Sequence, residues 1–117
     1  MSAKALTPVK VQKAVEALLT GAGACTPALR QAIETHAARL NVDSQLVAQD
    51  LPADLIAYVE KVTWHAYQVT DQDVQALKDA GYSEDAIFEV TLCASLGAGL
   101  ARLERGLAVV NGDQTCA

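Results

Sequence analysis

Between Ala86 and Ala101 the chain carries polar side chains at Glu89, Thr91 and Ser95 alone. A helix built on this run, spanning about Ser83 to Leu107, has no wet face of ordinary width and needs cover on most sides. It is expected to be too short, and to carry Glu89 too centrally, for a membrane span. The cover is therefore expected to come from other helices of the same chain or from a second subunit. Ser83 is a good N-cap, Glu84 and Asp85 place negative charge at the positive end of the helix dipole, and Tyr82 with Ile87 has staple spacing. Gly97 and Gly99 sit inside the run, where each costs about 1 kcal/mol against alanine. Keeping them implies that another backbone approaches closely, or that a ligand lies on bare main chain.

The rest of the chain reads as helix after helix. Thr7-Pro8 and Thr26-Pro27 each open one, with threonine as cap and proline in the first turn. Val11, Val15, Leu18 and Leu19 form the first apolar stripe, ended by Gly21 and Gly23. Leu29, Ile33, His36 or Ala37, and Leu40 form the second, with Arg30, Glu34 and Arg39 outside. A short turn is expected after Asp43-Ser44. Pro52 begins a third helix running to about Tyr67, with Leu55, Val59, Val62 and Ala66 inside. Thr70 and Asp73 have capping-box spacing, and Gly81 stands where a left-handed helix ending belongs, with Tyr82 able to pack back on Leu77. No segment alternates with period two over strand length. The expectation is a single all-α domain over residues 1–117, with five or six helices, a long buried C-terminal helix and a solvated tail over 111–117.

Composition narrows the function classes. Half of the residues are hydrophobic and only 4% are aromatic, so the core is built from small side chains. The net charge of -5, with no cluster of Lys or Arg, argues against a nucleic-acid partner. Cys25, Cys93 and Cys116 are odd in number and widely spaced, with neither a C-x-x-C nor a zinc spacing, which favours a reduced cytoplasmic setting. Ala22-Gly-Ala-Cys25 faintly resembles a lipoprotein cleavage site, but the segment before it contains Glu16 and reads as amphipathic helix. No metal and no cofactor are expected.

Few residues invite chemistry. Glu89 lies in the apolar run with Cys93 one turn away on the same face; with a nearby histidine the pair would form a proton relay of the thiol-peroxidase kind. The simpler alternative ties Glu89 to an arginine, such as Arg102 or Arg105, and makes Cys93 a small core residue. Trp64, His65 and Tyr67 supply a stacking surface, a titratable nitrogen and a phenol close together, lining a small-molecule pocket or forming an ordinary helix end. Cys25 precedes a helix N-terminus, a position that can lower a thiol pKa.

His65-Ala-Tyr-Gln-Val-Thr-Asp71, Asp73-Val-Gln-Ala-Leu77, Ala80-Gly-Tyr-Ser-Glu-Asp-Ala-Ile-Phe-Glu89 and Gly97-Ala-Gly-Leu-Ala-Arg-Leu103 together resemble the C-terminal half of carboxymuconolactone decarboxylase-like proteins, the superfamily that includes alkylhydroperoxidase D. The resemblance covers roughly residues 51–110. It implies an all-α fold assembled into trimers or hexamers, with long helices buried between subunits. The peroxidase branch carries a C-x-x-C followed by histidine, and this chain has none, so no thiol-peroxidase residue carries over. The resulting expectation is a cytoplasmic homo-oligomer, a trimer or larger, that has lost the redox pair and binds a small molecule or serves as an accessory subunit, away from nucleic acid and membrane. The alternatives are an enzyme using His65, Tyr67 and Glu89 for acid–base chemistry, and a residual one-cysteine peroxidase using Cys93. Any pocket is expected near Trp64, His65 and Tyr67, facing Glu89.

Overall fold

The computed structural model describes residues 8–40 and 51–112. Among them the chain forms five α-helices and no strand: α1 (Val9–Thr20), α2 (Pro27–Leu40), α3 (Ala53–His65), α4 (Asp71–Asp79) and α5 (Glu84–Val110), with one 3-10 turn over Ala66–Gln68. The Thr7 cap, the turn after Asp43-Ser44 and Cys116 lie outside the described residues.

Local chemistry sets the helix ends. Ser83 Oγ accepts from the Ala86 N–H at 3.1 Å and starts α5. The Thr70 N–H donates to the Asp73 carboxylate at 2.8 Å, completing the capping box of α4. Gly81 takes φ +103°, a left-handed conformation that glycine adopts without penalty. The Tyr82 N–H then closes back on the Leu77 carbonyl at 3.1 Å, a Schellman ending. The α4–α5 hairpin is thereby fixed by a handful of adjacent residues. The 3-10 turn ends α3 at His65, two residues before the expected Tyr67, and leaves Ala66 exposed rather than on the buried stripe.

Helices α2, α3 and α5 run in the same direction. Arg30 lies beside Glu89 and Glu34 beside Gly97, while Tyr58 meets Thr91 and Arg102 reaches Thr63. The core joins Ile33, Ala37 and Leu40 of α2, Leu55, Val59 and Val62 of α3, and Val90, Cys93 and Ala94 of α5. Helix α1 folds back antiparallel on α2 and contributes Val15 and Leu19.

Helix α5 departs from expectation twice. It continues past Leu107 to Val110 and reaches 27 residues, about 40 Å at roughly 1.5 Å per residue. That is long and apolar enough to cross a membrane, although 39% of its most apolar window is buried inside the chain. Among the described residues it is also covered on one side only. Phe88 is 66% exposed and Val110 81%, with Ser95, Gly99 and Gly106 exposed between them. Among the described residues, α5 is buried along the α2 and α3 side and bare on the opposite side.

Candidate functional site

The Gly21–Thr26 loop between α1 and α2 lies against the first turns of α5, and there the one acid in the middle of the apolar run is held. The Glu89 carboxylate accepts from two successive backbone N–H groups, Ala24 at 2.7 Å and Cys25 at 3.1 Å. Arg30 Nε stands 3.8 Å from the same carboxylate. The rest of the Arg30 guanidinium donates to the carbonyls of Leu18 and Gly21, acceptors that the end of α1 would otherwise leave without partners. One buried arginine therefore ties α1, α2 and α5 together. Gly23 permits the close approach, because a Cβ there would stand 2.5 Å from Glu89 Oε1.

The helical period places Arg30 on the outer face of α2, and the structure reverses this. Arg30 is only 3% exposed; two hydrogen bonds and the Glu89 charge offset the loss of water, while Nε has no hydrogen-bond partner among the described residues. The arginine beside Glu89 is thus Arg30; Arg102 instead donates to the Thr63 carbonyl at 3.2 Å.

Both described thiols sit near this tie and are poorly suited to attack. Burial pushes the Cys93 thiol up to about 11; the nearby Arg30 charge opposes the rise, and Cys25, Glu89 and Glu34 add to it. Cys25 is raised as well, by burial first and then by the Glu89 charge, against Arg30. Its Sγ donates to the Ala86 carbonyl at 3.6 Å. The helix N-terminus expected to acidify Cys25 is outweighed by burial and by the Glu89 carboxylate, which accepts from the Cys25 N–H itself. At neutral pH both thiols are protonated, which removes the nucleophilic form.

His65 and Tyr67 are elsewhere. Both are exposed, with Tyr67 at 82%, and their rings meet edge to face with centroids 6.1 Å apart. Trp64, at the same helix end, donates from Nε1 to the Leu40 carbonyl at 3.3 Å. This end of α3 lies level with Arg102, and about 20 Å of helix, at roughly 1.5 Å per residue, separates Arg102 from Glu89. Glu89 and Cys93 are brought together at one end of the bundle; His65 and Tyr67 lie at the other. Among the described residues no three His, Cys, Asp or Glu side chains converge to hold a metal ion.

Concave space lies in a third place, between α1 and α2. A groove of about 370 Å³ is floored by Val15, Leu19 and Leu100 and rimmed by Glu16, Gln31 and Glu34 among others. Sequence reasoning missed it because its floor residues read as ordinary stripe positions and its rim as a solvated face. His36 was a stripe-edge candidate and is buried, with Nε2 lacking a hydrogen-bond partner among the described residues. No family model matches the chain, and neither a curated protein nor a solved structure matches it.

Proposed function

We propose that this chain is a non-peroxidase subunit of a cytoplasmic homo-oligomer, a trimer or larger, of the carboxymuconolactone decarboxylase-like kind, acting in small-molecule binding or as an accessory subunit. The observation that carries the reading is the bare side of α5. Phe88, Leu103, Val109 and Val110 are exposed large apolar residues, and Ser95, Gly99 and Gly106 lie between them at heptad-like spacing, leaving room for a second helix. The internal engagement of Glu89 and the protonated state of Cys25 and Cys93 support a role without thiol or carboxylate catalysis.

The test is sedimentation velocity of the full chain at micromolar concentration in detergent-free buffer, with Phe88→Asp and Leu103→Asp beside the parent. The expected result is a trimer or larger assembly that both variants reduce to monomer with helix content retained. A monomeric parent, or a chain that stays in solution only with detergent, overturns the reading. Peroxide consumption with a dithiol reductant is expected to be absent, since both described thiols are buried and have raised pKa values, which leaves little thiolate to attack.

A further inference from the structure

The groove between α1 and α2 combines features that no part of the Glu89 tie or the α3 end possesses. Its floor is aliphatic, from Val15, Leu19 and Leu100. Its two charged rim residues, Glu16 on α1 and Glu34 on α2, are both acids, and no lysine or arginine lines it. The two helices are set side by side by the Arg30 bonds to Leu18 and Gly21, so the opening between them is built into the fold. The Thr35 hydroxyl donates to Glu34 at 3.5 Å, a long bond that leaves most of the carboxylate's accepting capacity unused. Neither Glu16 nor Glu34 makes an ion pair among those of the described residues. At about 370 Å³ the space lies at the small end of ligand cavities, which are mostly apolar with a few polar groups that set orientation.

We infer that this groove binds a small primary amine with a short alkyl or aryl body, the body against Val15, Leu19 and Leu100 and the ammonium between Glu16 and Glu34. An ammonium offers three donors and no acceptor, which matches a rim whose charged groups only accept. A carboxylate ligand of the same size would meet two like charges. The inference deepens the small-molecule part of the proposed function and is independent of assembly, because one chain supplies the whole groove.

Amide-detected NMR of the full chain, titrated with hexylammonium and separately with hexanoate, tests it. Hexylammonium is expected to give saturable shifts around Val15, Leu19, Glu34 and Leu100 in the millimolar range, and hexanoate none. Glu34→Gln should weaken hexylammonium at least threefold. Leu100→Trp should fill the groove and abolish binding; if that variant fails to fold, Gln31→Lys, which brings a cation to the rim, should abolish it instead. Equal binding of both probes, shifts confined to other regions, or shifts that never saturate overturn the inference. Sedimentation of the same sample separates the two proposals: a monomer that binds hexylammonium refutes only assembly, and an assembly blind to it refutes only the groove.

Discussion

Gly97 and Gly99 lie two residues apart on α5 and face opposite worlds. A Cβ on Gly97 would collide with the Glu34 carbonyl of α2 and stand 3.1 Å from the Ala37 Cβ, whereas a Cβ on Gly99 meets nothing within 4 Å. The first glycine lets two backbones of one chain touch. The second meets nothing among the described residues and still carries the helix penalty of about 1 kcal/mol. The two sides of α5 differ in the same way throughout. Val90, Cys93, Ala94 and Ala98 are sealed against α2 and α3, while Phe88, Ser95, Leu103 and Val110 lie open. One glycine is explained by the fold of the chain and the other is not; under the proposed assembly the second would face a neighbouring subunit.

The most damaging way to break the sealed side is at Gly97. Gly97→Leu drives a branched side chain into main chain that cannot yield, so the cost should exceed the 1–3 kcal/mol or so typical of overpacking. Loss of the cooperative thermal transition is the expected outcome. Gly97→Ala should destabilise by at least about 1 kcal/mol, measured by urea unfolding; a neutral alanine would mean that α2 and α5 are not in backbone contact.

The next largest effect belongs to the tie that locks the sealed side at its end. Glu89→Ala leaves Arg30 buried without its counter-charge and strips the Ala24 and Cys25 N–H groups of their acceptor. A loss of about 2–4 kcal/mol is expected. Glu89→Gln keeps one acceptor oxygen and should lose roughly half as much. Equal stability of the parent and both variants in urea would show that the carboxylate carries no structural load and would reopen its candidacy for catalysis.

What could be read from the sequence was what neighbours in sequence decide. Ser83, Thr70 with Asp73, and Gly81 with Tyr82 each act within a few residues, and each performs as its spacing requires. The all-α class follows from the same local signals. Arg30 was misplaced because its partners, Leu18, Gly21 and Glu89, are chosen by how three helices meet, and helical periodicity sees one helix at a time. Gly23 escaped for a related reason: as a loop residue it looks like a simple helix stop, and only the arrival of Glu89 shows why a side chain is excluded. Gly97 and Gly99 were indistinguishable, since what approaches each comes from a distant part of the chain or from outside it.

His36 sharpens the comparison from α2, because the sealed side there holds a titratable group. Burial lowers its pKa from the ordinary 6.5, Glu60 opposing and Arg39 reinforcing the shift. The folded chain therefore keeps His36 neutral where the unfolded chain has begun to take a proton. Below pH 6.5 the unfolded state binds more protons, so stability falls as pH drops from about 6.5 through the folded pKa, and is fully present above that window. Urea midpoints between pH 7.5 and 5.5 should decline, and His36→Gln should flatten the decline. An unchanged slope in the variant would place the pH response on other groups.

The smallest effect is the most discriminating, and it belongs to the open side. In a helix facing water, Gly99→Ala removes glycine's entropic penalty and should stabilise the monomer by about 0.5–1 kcal/mol. In a helix facing a second helix at close range, the same methyl stands between two backbones. The proposed assembly therefore predicts opposite signs from one substitution: a higher urea midpoint under dilute, monomeric conditions, and a weaker association constant in sedimentation. Gly106→Ala, at an equally open position seven residues on, should repeat the pattern if the contact runs along the helix. Stabilisation without any loss of association at either position would mean that the small residues of the open side are not where subunits meet, and would move any contact to the large apolar side chains Phe88, Leu103 and Val110.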